Sequence, residues 1–203
     1  MRMMRGSSRR HVRRRVAQGG ATMIEVLVSI VITVFGLLAL AGLQTRMNAA
    51  VLESFQRSQA LSLLQDITER MQANQAQDVS YVVGSLGTGD TQPADCSTVA
   101  GNRALVDLCE WSNSLKGASE TSEDGTTNMG GMIGARGCVE QLQAANPAPS
   151  ICQPATYRVT IAWQGLNATV APAVVCGKDL YGTDDSLRRA ISSRVIIPLP
   201  ACS

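Results

Sequence analysis

Residues 26–43 run for 18 positions without a charge, and only Ser29 and Thr33 among them are polar. Both hydroxyls can bond back to a carbonyl of the preceding helical turn. About 18 to 20 such residues, at about 1.5 Å each, suffice for a helix to cross a bilayer. This run constrains whatever fold follows it. No proline occurs before Pro93, and residues 44–74 are rich in good helix formers. One helix is therefore expected from about residue 22 to residue 73, with Asn74 as its stop. Gly36 and Gly42 are its weak points, at about 1 kcal/mol each relative to alanine. In the second half Met47, Val51, Phe55, Leu61, Leu64, Thr68 and Met71 recur mostly at three- and four-residue spacing, a stripe that could pack on a sheet.

The charge is lopsided. Seven arginines and no acid fall in the first twenty residues, so the formal +2 of the whole chain becomes eleven basic against sixteen acidic residues, −5, for the remainder. The basic cluster should stay on the cytoplasmic side of a membrane, with everything after the apolar run on the other side. All six cysteines (Cys96, Cys109, Cys138, Cys152, Cys176 and Cys202) lie on that far side. They are widely spaced, with no C-x-x-C pair, which fits disulfides in an oxidising compartment such as a bacterial periplasm. Six buried thiols in a cytosolic domain are the alternative reading. A mildly acidic body argues against a nucleic-acid surface.

The front end of the run is unlike an ordinary secretory signal, in which a small-residue cleavage site follows the apolar region. Here Gly19 and Gly20 precede it, and Leu40-Ala41-Gly42 only weakly imitates a cleavage site. A cut after Gly20 would remove the basic leader, keep the apolar helix and create a new N-terminus at Ala21, four residues before Glu25. A carboxylate in hydrocarbon costs from about 3 kcal/mol upward. Glu25 is therefore either an interfacial charge at a helix that begins a little later, or a charge with a designated partner.

The stretch GGATMIEVLVSIV resembles the class III signal of type IV prepilins and related pseudopilins. The resemblance implies cleavage between Gly20 and Ala21 by a prepilin peptidase, N-methylation of Ala21, and a filament-assembly role for Glu25. The glutamate would pair with the terminal ammonium of a neighbouring subunit, since each charge is costly alone in lipid. Alanine at the first mature position, where the family usually has Phe or Met, is a minor departure. The implied fold is α+β, the type IV pilin fold: a long N-terminal hydrophobic helix packed on a small antiparallel β-sheet head. Its parts would be a leader (1–20), a membrane or filament-core half-helix (21–43), an amphipathic half (44–74) and a periplasmic head (75–203).

In the head, residues 75–101 look like loop, and Asn102 is placed to cap a helix over RALVDLCEWSNSL with Leu105, Leu108, Cys109 and Leu115 on its apolar face and Trp111 over a core. Residues 117–137 form a Gly/Ser/Thr/Asp-rich loop. Strands are expected over 137–142, over 157–163 with Tyr157, Val159, Ile161 and Trp163 on one face, and over 190–199, ended or placed at an edge by Pro198. Three or four antiparallel strands on the amphipathic half-helix satisfy both stripes. Six cysteines allow fifteen pairings; neighbour pairing (96–109, 138–152, 176–202) is expected.

The ending GLLALAGLQ, together with QALSLLQDITERMQAN, LCEW, YRVTIAWQG and the paired arginines Arg188-Arg189, is similar to the PilV family of minor pilins, the type IV pilus modification proteins. That similarity implies a subunit that helps to start pilus assembly, sits at the pilus tip and supports adhesion and twitching motility. Its partners would be other minor pilins, the major pilin and the inner-membrane assembly platform. A minor pseudopilin of type II secretion is the alternative, sharing the signal, Glu25 and the helix.

Enzymatic classes are poorly served. The single histidine, His11, lies in the leader, leaving no histidine for a triad or metal site after cleavage. No Walker A, GxGxxG or GxSxG pattern occurs, and no cofactor or catalytic residue is expected. Asp184-Asp185 and Glu123-Asp124 could bind Ca²⁺ but read better as solvated loops. The Asn167-Ala168-Thr169 sequon is read as coincidental.

Overall fold

The computed structural model describes residues 20–199; the arginine-rich stretch 1–19 and Cys202 lie outside them. Two compact units divide within the first helix, after Met47. That helix, α1, spans Met23–Ala73. In the first unit its apolar residues from Met23 to Leu43 are all solvent-exposed. The helix is long and apolar enough to cross a membrane by length and composition, which suits it to anchoring the chain there.

The second unit is an α+β head. β1 (Val83–Gly87), β2 (Arg136–Gln143), β3 (Ala155–Gln164) and β4 (Arg188–Ile197) form one antiparallel sheet in the order β1-β2-β3-β4. α2 (Arg103–Leu115) follows Asn102, whose side chain accepts from the Leu105 N–H at 3.2 Å, as an N-cap should. One continuous core joins Ala60, Leu64, Ile67 and Met71 of α1 to Leu108, Trp111 and Leu115 of α2 and to Val139, Tyr157, Val159, Ile161 and Val195 of the sheet. Period-2 alternation in β3 and period-3.6 spacing in the helices thus meet on one face of the sheet.

The stripe expected on the second half of α1 needs correction. Leu64 and Met71 are buried, but Val51, Phe55 and Leu61 are 66%, 66% and 51% exposed. The head covers the line Ala60, Leu64, Ile67 and Met71, at steps of four, three and four, whereas Val51 and Phe55 point about half a turn away from it at about 100° per residue. The second half of α1 therefore carries two apolar faces, and the head satisfies one. Leu105 of α2, expected in the core, is 40% exposed; Ala104 is the buried residue at that turn.

β1 was not foreseen within residues 75–101. Its VGSLG sequence has no alternation, and its pairing with β2 is interrupted by a bulge between Val83 and Leu86. What holds it is Asp90, whose carboxylate accepts from Gly87 N–H (2.8 Å), Gln92 N–H (3.2 Å), the Ser112 hydroxyl and Lys116 Nζ (2.9 Å). Burial works against its ionisation, but these four donors outweigh it and lower the Asp90 pKa. A depressed carboxyl pKa contributes stability that is fully present above the unfolded value of about 3.9 and is lost as pH falls through the folded value. Acidification below about pH 4 is expected to lower the thermal midpoint of the head. Asp90→Asn should start lower at neutral pH and lose less on acidification, as read by a midpoint-versus-pH series. An unchanged acid slope in that variant would contradict the assignment.

The loop 117–131 is closed on itself. A bridge pairs Thr121 with Asn128, Gln59 of α1 donates to Gly130 O, and Gly117 has φ +75° with its Cα hydrogen side against the Gly131 amide. A Cβ there would lie 2.0 Å from Gly131 N, so the chain crosses itself where only glycine fits.

Candidate functional site

Gly20 and Ala21 are exposed and precede the helix. Glu25 lies in the first turn of α1, where a carboxylate is favoured by the helix dipole, and its N–H bonds to Thr22 O at 3.0 Å. Ala21, Glu25, Ser29 and Thr33 follow at four-residue steps and line one shallow groove of about 400 Å³ with Val26, Ile30 and Val34. Ser29 Oγ donates to Glu25 O (2.6 Å) and Thr33 Oγ1 to Ser29 O (2.7 Å), so neither hydroxyl needs an outside partner. The Glu25 carboxylate is different: among the described residues it makes no hydrogen bond or ion pair. Sequence reasoning singled out Gly20, Ala21 and Glu25, and the structure places them together at the exposed start of one apolar helix.

Two polar networks tie α1 into the head. Asp107 of α2 is 2% exposed and receives Arg70 Nη1 (3.1 Å) and Arg103 Nη2 (2.9 Å) together with the Tyr81 hydroxyl. Arg70 also reaches Asp66 and Glu110. Burial and the hydrogen bond to Asp107 push the Tyr81 pKa up to about 12. This network ties α1 to α2. At the other end of the head Glu53 of α1 accepts from the backbone N–H groups of Leu166 (3.1 Å) and Asn167 (3.2 Å) and from Arg189 Nη2 (3.2 Å).

Within residues 165–187 the stretch 173–181 forms a third layer on the outer face of the sheet, which the sequence reading missed, while Leu166 and Asn167 meet Glu53 of α1. Cys138, Ala162, Cys176 and Tyr181 make a second small core there. Tyr181 donates to Gly134 O at 2.6 Å. The buried Arg188 guanidinium donates to Pro172 O, Val174 O and Cys176 O and pairs with Asp185 at 3.1 Å. Asp185, read as part of a solvated loop, is thus a buried partner of Arg188. The signal available in the sequence was β3 itself, where Thr160 and Ala162 leave the second face of the strand small and coverable.

The cysteine pairing follows this layer. Cys96–Cys109 joins the turn before α2 to that helix, the neighbour pair expected. Cys138 joins Cys176, which corrects both the 138–152 and the 176–202 expectations. Cys138 lies on the outer face of β2, in the row of Thr160 and Ser192, and the segment lying on that face is the one carrying Cys176. Cys152 is disulfide-bonded as well; the expectation for Cys202 falls outside the described residues. No group of three or more metal-ligating side chains occurs among the described residues.

These features define a class of protein: an apolar, membrane-suited helix continuing into a disulfide-stapled α+β head. Within it, residues 42–110 match the family model described as Tt1218-like, type IV pilin Tt1218, which takes in α1 from Gly42 onward, β1 and most of α2. The match takes in about a third of the chain and supports a type IV pilin, and a long apolar N-terminal helix continuing onto a small four-stranded antiparallel sheet is consistent with the type IV pilin fold. That family is one of structural subunits, not enzymes. No curated protein and no solved structure matches the chain significantly.

Proposed function

We propose that the chain is a minor pilin of the PilV type, made as a prepilin with a leader ending at Gly20. It is cut before Ala21 and methylated there by a prepilin peptidase, and held in the bacterial inner membrane by residues 21–43 with the head in the periplasm. It then joins other minor pilins and the major pilin on the assembly platform, helps to initiate the pilus, and remains near its tip in support of adhesion and twitching motility. The observation that carries this reading is Glu25, without a partner among the described residues, at the start of an exposed apolar helix. A carboxylate there is costly until a cation joins it, and the amine freed by cleavage at Ala21 of a neighbouring subunit is such a cation. The second apolar face of α1, with Val51 and Phe55 uncovered, supports packing of this helix among other helices.

Two variants test it. Glu25→Ala is expected to be cleaved normally but to be depleted in sheared filaments, because the charge pair is lost; undiminished incorporation would contradict the pairing. Gly20→Ala is expected to accumulate at precursor size on a gel, and a mature-sized band would count against the cleavage site.

A further inference from the structure

The two edges of the sheet are unlike. β1 is five residues long, contains two glycines, is interrupted by a bulge and has its Gly87 N–H taken by Asp90. Such features keep an edge from pairing with another chain. β4 has none of them. Its ten residues pair with β3 one for one without a bulge, and among the described residues no hydrogen bond joins the outer edge of residues 190–197 to any other segment.

The side chains on that edge say what would fit. The register sets Glu140, Arg158 and Arg194 in one row across β2, β3 and β4 on the outer face. Glu140 and Arg158 are paired at 3.2 Å. Arg194 is exposed and has no carboxylate partner among the described residues. The other two arginines of β4 are occupied, Arg188 by Asp185 and Arg189 by Glu53. The row therefore reads minus, plus, plus, and the next place lies just beyond β4, where a directly opposed side chain would stand about 4.5–5.5 Å away at Cβ. A groove of about 460 Å³ lined by Arg158, Val174, Val175, Ser192 and Arg194 opens beside that place. Two residues along the same face, Ile196 is 58% exposed.

We propose that β4 is a docking edge for an extended acidic segment of another protein chain. The segment adds as a fifth strand, with a carboxylate beside Arg194 and an apolar side chain beside Ile196. Main-chain hydrogen bonds supply the attachment. The carboxylate sets the register, because a slip of one residue would carry it to the opposite face. The edge of a second copy does not fit: neither β1 (VGSLG) nor β4 (RRAISSRVII) contains an acid to complete the row. The inference concerns the head alone and does not depend on cleavage or on filament assembly.

The test uses the full chain in its host membranes, with a photo-crosslinking residue in place of Ile196 (Ile196→p-benzoylphenylalanine) and, as a control, in place of Val170, which is 93% exposed in the loop between β3 and β4. The expected result is an adduct specific to position 196 in which mass spectrometry places the bond in a peptide of a different protein, next to an Asp or Glu. Arg194→Glu should reduce that adduct about tenfold or more, because it sets like charges side by side, and exchanging the partner's acid for arginine should restore it. Arg194 is exposed, so the variant should keep its thermal midpoint, which is checked alongside. No adduct above the Val170 control, an adduct to a second copy alone, or an adduct indifferent to Arg194→Glu would each overturn the proposal.

Discussion

Trp111→Ala should cost the head about 3–5 kcal/mol, the range for removing a fully buried tryptophan. Trp111 has no solvent exposure and lies where α1, α2 and β2 meet. Its indole packs so closely on β2 that a Cβ on Gly137 would fall 2.2 Å from the ring. Its Nε1–H donates to Leu63 O of α1 at 3.0 Å. Removing it opens a cavity between three elements and leaves two helices without their shared filler. At about 2–4 °C per kcal/mol for a chain of this size, the thermal midpoint should fall by roughly 10 °C. Trp111→Phe, which keeps most of the volume and loses the hydrogen bond, should cost clearly less. A loss in Trp111→Ala below about 1 kcal/mol would mean that the helices and sheet do not share this core.

The second large effect is expected from Cys138→Ala/Cys176→Ala. The bond closes a loop with a sequence separation of 38 residues, and the chain-entropy account gives about 4 kcal/mol for a loop of that length. The loss should also be local. Residues 165–187 would then be held by Tyr181, the Glu53 contacts, the Arg188 bonds to carbonyls and Asp185, and the Arg189 bonds to Thr169, Ser186 and Asn167, without a covalent tie, so limited proteolysis should cut there first. Cys96→Ala/Cys109→Ala opens a separation of only 13 and should cost less, about 3 kcal/mol, with cuts near residue 96 instead. Identical cleavage patterns for the two double variants would contradict the third-layer role of residues 173–181.

Much of the fold was legible in local chemistry. Asn102 marks a helix start because its side-chain oxygen takes the Leu105 N–H, and Asn74 follows the last residue of α1, where its amide turns to the Gln77 and Tyr81 side chains. β3 and β4 announced themselves by alternation, and Pro198 marked the end of β4 one residue after Ile197. What escaped depends on contacts remote in sequence. β1 is held by Asp90 and α2 rather than by its own residues. The two apolar faces of α1 blend into one irregular stripe when read along the chain, because nothing local says which face the head will cover. The partner of Cys138 follows from which side of β2 the residue occupies and which loop returns to that side, not from nearness in sequence. At the N-terminus the reverse holds: the spacing of Gly20, Ala21 and Glu25 ahead of an apolar run is wholly local, and the cleavage and assembly roles proposed for them rest on that spacing.

The measurement that bears most directly on the account is intact mass with N-terminal sequencing of the protein taken from membranes of its host. The account predicts loss of residues 1–20 and a methylated amine on Ala21. A chain still beginning at Met1, or one cut beyond Leu40, would contradict it and return Glu25 to an ordinary charge at the membrane surface.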